Sequence, residues 1–152
     1  MLIFAIDPGF SGAWGAINHT GKYHTCGDML NDGYSIDTES VWGEILTARD
    51  GQDCEVVIEL VHSMPAQGVA SSFKFGMAYG AAVALAQRFH SPCHMIRPQV
   101  WKKGMGLSSD KNESLNMARM LWPDAPLKLK KHDGRAEALL MAEYWRRHLF
   151  EL

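Results

Sequence analysis

Two hydrophobic periodicities alternate along the chain, and their order predicts an architecture. Residues 2–7 (LIFAID) form a continuous apolar run stopped by Pro8-Gly9, the pattern of a strand buried on both faces. Residues 12–18 (GAWGAIN) and 23–29 (YHTCGDM) lie either side of the turn formers His19-Thr20-Gly21, which predicts an antiparallel meander of three strands. A helix is expected over 38–49, where Val41, Ile45 and Leu46 follow a Thr/Glu start. Residues 55–60 (EVVIEL) read as a second buried strand, 66–89 as a long helix rich in small residues, and 94–97 as a short strand ended by Pro98. Two more helices are expected over 110–121 and 134–149, the second periodic at Ala138, Leu139, Ala142 and Trp145. The order βββαβαβαα predicts an α/β fold with a mixed five-stranded sheet flanked by helices. A doubly wound fold would alternate from the start.

Composition adds bounds. The 152 residues suffice for one domain, 1–152, with a core of its own. No uninterrupted apolar run approaches the roughly 18 residues of a membrane span, so no membrane partner is expected. The apolar N-terminus lacks a basic flank and is broken by Asp7, so it reads as a strand, not a secretory signal. Cys26, Cys54 and Cys93 are odd in number and lack metal-type spacing, which fits free thiols in a reducing, cytoplasmic setting. Net charge is −2, which by itself argues against a nucleic-acid partner. Its distribution changes that picture: residues 1–60 carry −8 and residues 61–152 carry +6. A basic face beside an acidic site would give this asymmetry, as would two solvated faces with no partner.

Four carboxylates are the candidate chemistry. Asp7 closes an apolar strand, where a carboxylate is costly unless paired or metal-bound, and Gly9–Gly15 would let backbone or phosphate approach it. The alternative is an Asp that caps a turn. Glu59 sits near the end of another apolar strand, on the face of Val57 and opposite Ile58. An edge strand with Glu59 in water is the alternative. Asp133 and Glu137, spaced i, i+4, share one face of the last helix, although a first-turn acid also suits the helix dipole. Together the four make an all-oxygen set suited to Mg²⁺ or Mn²⁺. Two ions would stabilise both the attacking and the leaving oxygen of a phosphoryl displacement. His90, Cys93 and His94 find no fourth ligand at zinc-type spacing. Arg97, Lys102, Lys103, Lys111, Lys128, Lys130, Lys131 and Arg135, with Trp101 interleaved, suit contact with a phosphate backbone. In the long helix, Gly76 and Gly80 lie on one face and imply a close approach there, by a second copy or by the domain's own sheet.

AIDPG around Asp7, VVIEL around Glu59 and KKHDGRAEALLMA around Asp133 resemble the three active-site blocks of RuvC-type Holliday-junction resolvases. GVASSFKFGMAYG (68–80) resembles that family's long helix, and IRPQVWKK (96–103) the segment after its fifth strand. The small size and the KKHD form are most similar to phage-type members. The resemblance implies a ribonuclease-H-like fold and a homodimeric endonuclease. It would nick opposed strands of four-way branched DNA to leave 5′-phosphate and 3′-hydroxyl ends, in a bacterial or phage-infected cell. It implies metal binding by Asp7, Glu59, Asp133 and Glu137, with Mg²⁺ replaceable by Mn²⁺, two ions per active site and no nucleotide cofactor. A basic residue assists phosphate chemistry in the family; Lys111 is the candidate here, with Lys102 behind it. DNA contacts are implied for His62, Phe73 and Lys74, beside Arg97, Lys102, Lys103, Lys130 and Lys131, although Phe73 could equally be core. Two departures stand out: many members space the last two acids i, i+3, and many have Asp where this chain has Glu137. Another ribonuclease-H-like nuclease, cutting branched DNA or an RNA–DNA hybrid, is a rival reading, as is an inactive junction-binding protein. Four acids without compensation argue against the inactive form. A sugar-kinase-like nucleotide binder would need two such domains and a much longer chain.

Overall fold

The computed structural model describes residues 1–152. Its strands are β1 (Leu2–Asp7), β2 (Ala13–Asn18), β3 (Tyr23–Asp28), β4 (Cys54–Glu59) and β5 (Cys93–Ile96), joined in one sheet of order β3-β2-β1-β4-β5. β1 and β3 each pair antiparallel with β2, whereas β4 runs parallel to both β1 and β5. The expected meander is therefore one half of the sheet, and the two later buried strands extend it.

The helices are α1 (Thr38–Arg49), α2 (Val69–Gln87), α3 (Pro98–Gly104), α4 (Lys111–Leu121) and α5 (Asp133–Leu149). Asp37 and Asp110 cap α1 and α4 by accepting from the backbone N–H of Ser40 and Asn112. α3 is the element that the pattern did not predict. Pro98, taken as the end of the fifth strand, is also the first residue of this helix. Proline is at home in a first helical turn, where its missing N–H would have no partner and its φ is already helical. Seven residues are too few to show a 3.6-residue period.

Period-two alternation sorts the strand residues into two cores. Leu2, Phe4, Ile6, Val56 and Ile58 pack under α1 and α2. Ile3, Ala5, Val57 and Ile96 pack under α3, α4 and α5. α5 lies close on the sheet because position 15 is glycine: a Cβ there would stand 2.9 Å from Leu139 Cδ2 and 3.3 Å from the Leu139 backbone nitrogen.

α2 departs from expectation in two ways. By length and composition it could cross a membrane, which a count of uninterrupted apolar residues missed because Ser71, Ser72 and Lys74 break the run. In this fold Ala78, Ala82, Leu85 and Ala86 bury its inner side on the sheet. Phe73 is 71% exposed, so it is not core. A Cβ on Gly76 or Gly80 would meet nothing within 4 Å, so these glycines do not serve approach to the chain's own sheet.

The contrast between two glycines is testable. Gly43 lies inside α1 facing open space, so Gly43→Ala should stabilise by about 0.5–1 kcal/mol. Gly15→Ala should destabilise by about 1–3 kcal/mol through overpacking against α5. Urea titrations of the two variants check the opposite signs.

Candidate active site

Asp7 and Glu59 are the last residues of β1 and β4. These strands are parallel neighbours with Ile6 opposite Ile58, so the next residues, Asp7 and Glu59, leave the sheet side by side. Alternation puts both on the face of Ile3, Ala5 and Val57, beneath α3–α5. β4 lies between β1 and β5 and Glu59 is 8% exposed, so Glu59 is not an edge residue in water.

The other two acids arrive with α5. Its first turn can approach Asp7 because position 134 is glycine: a Cβ there would stand 2.9 Å from the Ser11 carbonyl oxygen and 3.4 Å from Asp7 Oδ2. The loop after Asp7 is equally constrained. Gly9 has a φ of +130°, and a Cβ at Gly12 would collide with the Asp7 carbonyl oxygen. The glycine-rich stretch thus folds tightly over the end of β1.

Asp7, Glu59 and Glu137 line one open cleft of about 520 Å³ with Lys74, Phe75 and Lys111. Asp133 is not among its lining residues. It stands behind Lys111, whose Nζ is 2.7 Å from Asp133 Oδ2. Three of the four acids are engaged by protein groups. Trp101 Nε1 donates to Glu59 Oε2 at 2.7 Å. Lys102 Nζ at 2.8 Å and Ser114 Oγ at 3.3 Å both donate to Glu137 Oε1. Trp101 and Ser114 are fully buried, so Trp101 is not the exposed aromatic that its place among basic residues implied. Ser114 had no sequence signal beyond its place in α4.

Electrostatics follow from this crowding. Burial raises the Asp7 carboxyl well above the usual carboxylate range, and the negative charges of Glu59 and Glu137 raise it further, against Lys111 and Lys102. Burial also raises Glu59, opposed first by the hydrogen bond from Trp101. The ion pair with Asp133 raises the Lys111 ammonium. The donor set consists of hard oxygens and carries surplus negative charge, which suits a hard divalent cation. As the side chains stand, however, no three His, Cys, Asp or Glu residues are close enough together to hold one ion. Lys102 and Lys111 occupy two of the acids instead.

The basic residues divide into free and committed groups. Lys74 holds its ammonium 4.6 Å from the Phe10 ring centroid at the cleft. His62 and Arg97 line a second cleft with Leu60, Met64 and Val100, where β4 and β5 end. Lys131 flanks the loop of Phe10, Ser11 and Gly12. Lys103, Lys128 and Lys130 are exposed. Arg135 is committed: its guanidinium forks onto Asp28 at 2.6 and 2.8 Å, fastening α5 to the end of β3. Arg119 caps the carbonyls of Leu127 and Lys128. Glu143, a buried acid that sequence reading passed over, is matched by Arg146 and Arg147 further along α5.

No family model matches this chain, and no curated protein matches it. Among solved structures, it is similar to T. thermophilus RuvC in complex with a Holliday junction substrate, at 17% identity and a TM-score of 0.70, covering 99% of this chain and 96% of that one. A second Thermus thermophilus RuvC structure is similar at 18% identity and a TM-score of 0.64, covering 99% and 97%. The chain has the fold of these RuvC proteins, and the expected mixed five-stranded sheet flanked by helices is the one observed.

A pH experiment tests the crowding. A carboxyl whose folded-state pKa exceeds its unfolded value makes ionisation costly to the folded state. Its stabilising effect is therefore complete below about pH 4, the ordinary carboxylate range, and is lost as pH rises through the raised value. In EDTA, melting temperature should fall with rising pH across this window, and Asp7→Asn should flatten the decline. Equal slopes for the two proteins would show that Asp7 ionises as an ordinary carboxyl.

Proposed function

We propose that this chain is a divalent-metal-dependent endonuclease acting on four-way branched DNA. One observation carries the reading. Three acids from separate segments, Asp7, Glu59 and Glu137, line a single open cleft with Lys74 and Lys111 on a RuvC fold. The Holliday junction substrate bound by T. thermophilus RuvC supports four-way branched DNA as the substrate class.

In this reading Asp7, Glu59 and Glu137, with Asp133 beside them, would hold Mg²⁺ or Mn²⁺, two ions per site. When bound, such ions would supply Lewis-acid activation of water and offset charge on the phosphate. Lys111 then exchanges Asp133 for the scissile phosphate, bringing a positive charge to the developing negative one. Lys102 offsets the charge of Glu137 through their ion pair. Lys74, Lys103, Lys130 and Lys131 contact the DNA backbone, which sets affinity without specifying sequence. His62 and Arg97 contact DNA from the second cleft. Products with 5′-phosphate and 3′-hydroxyl ends follow from water attack that releases the 3′ oxygen.

Paired nicks require two such sites related by a twofold axis. The exposed side of α2 fits a second copy: Val69, Phe73 and Met77 are uncovered, and Gly76 and Gly80 leave the backbone open beside them.

The decisive assay is nicking of a synthetic four-way junction beside linear duplex and an RNA–DNA hybrid, with and without Mg²⁺. The junction should be cut only with metal, and Asp7→Asn should lose at least about 100-fold in rate, the scale of one essential charge-stabilising group. Wild-type-like nicking by Asp7→Asn, or preference for the hybrid, would sink the assignment. Junction binding should persist in EDTA and weaken steeply with salt. For the dimer, Gly80→Leu should lower the mass seen by light scattering from two chains to one. A monomeric wild type, or a folded Gly80→Leu that stays dimeric, rules out this interface.

A further inference from the structure

We infer that Trp101 and Ser114 are positioning residues that fix the orientation of Glu59 and Glu137 for a cation; this rests on the metal-dependent reading above. An indole N–H is one donor and takes one acceptor. Trp101 Nε1 binds Glu59 Oε2 at 2.7 Å, which leaves Glu59 Oε1 to a ligand. Lys102 and Ser114 converge on Glu137 Oε1, which leaves Oε2. Each carboxylate is thereby split into a held oxygen and a free one. Trp101 and Lys102 are consecutive on α3, yet they reach acids on β4 and α5 respectively. The short helix therefore sets the spacing between two carboxylates that share no element.

The two neighbours differ in stiffness. Trp101 is locked in the core with Ile96, Met105 and Leu140, so its N–H cannot turn away without opening that core. Lys102 has a flexible stem and can leave when a cation arrives. Nor is a partner needed merely to bury an indole here. The N–H groups of Trp14 and Trp145 are buried with none.

The test uses Trp101→Phe, which keeps an aromatic ring but removes the donor, and Ser114→Ala, which removes one hydroxyl. In ¹H–¹⁵N spectra of the DNA-free protein, the Trp101 indole resonance is the one lost in Trp101→Phe, and Glu59→Gln should shift it. Mn²⁺ alone, titrated by electron paramagnetic resonance, should bind Trp101→Phe about 10–100-fold more weakly than wild type, and Ser114→Ala more weakly to a smaller degree. Junction affinity in EDTA should not change, and higher Mn²⁺ should restore cleavage by Trp101→Phe but not by Asp7→Asn. Wild-type Mn²⁺ affinity in both variants, or an indole resonance indifferent to Glu59→Gln, overturns the inference and leaves the metal reading intact. If Trp101→Phe unfolds, unchanged affinity in Ser114→Ala overturns it. A wild type that binds no Mn²⁺ overturns the metal-dependent reading itself, whereas the indole shift still reports the contact.

Discussion

Like charges at the end of a buried sheet impose the constraint to which the rest of this molecule answers. Asp7 and Glu59 leave adjacent parallel strands side by side, and Glu137 is brought against them by α5. Carboxylates so placed lose hydration and repel one another, and each must find a donor, a cation or a proton. Glu59 has the Trp101 indole, Glu137 has Lys102 and Ser114, and Asp133 has Lys111. Asp7 is left with no such partner, and burial with the charges of Glu59 and Glu137 raises its carboxyl well above the usual range. Glycines at 9, 12 and 134 make the crowding sterically possible. The cleft is thus a store of negative potential, held in check by the ammonium groups of Lys102 and Lys111.

Much of this was legible from one dimension. Apolar runs ending at Asp7 and one residue past Glu59 predicted both strands and put both acids near the strand ends, where a turn cap and a solvated edge strand were the competing explanations. The i, i+4 spacing of Asp133 and Glu137 placed them on one helix, but not at equal depth. Only Glu137 reaches the cleft, since the tilt of a helix on a sheet depends on contacts such as Gly15 with Leu139. α3 was illegible for a different reason. Its proline reads equally as a strand terminator, and its role lies in hydrogen bonds to residues 42 and 35 positions away. Trp101 looked like a surface aromatic because it stands among lysines; its burial is a tertiary fact.

Charge counting was similarly half informative. The basic surplus of the later residues includes groups spent on architecture. Arg135 and Arg119 tie off backbone and side-chain oxygens, and Arg146 and Arg147 neutralise Glu143. What remains free is mostly lysine, whose compact ammonium on a long stem adapts to a backbone of irregular course. The division is compatible with the DNA-backbone contact proposed above, which needs charge and no base reading.

The fork between Arg135 and Asp28 has a consequence for solubility. β3 is an outer strand, and an uncovered outer strand can recruit a strand from another molecule into a growing ribbon. Here its last residue is riveted to the first turn of the helix that carries two of the acids. Fraying of β3 from this end would first have to break the fork, a part-exposed ion pair worth about 0–1 kcal/mol. The rivet therefore makes loss of β3 from this end slightly less frequent, and with it the chance of recruiting a strand from a neighbour.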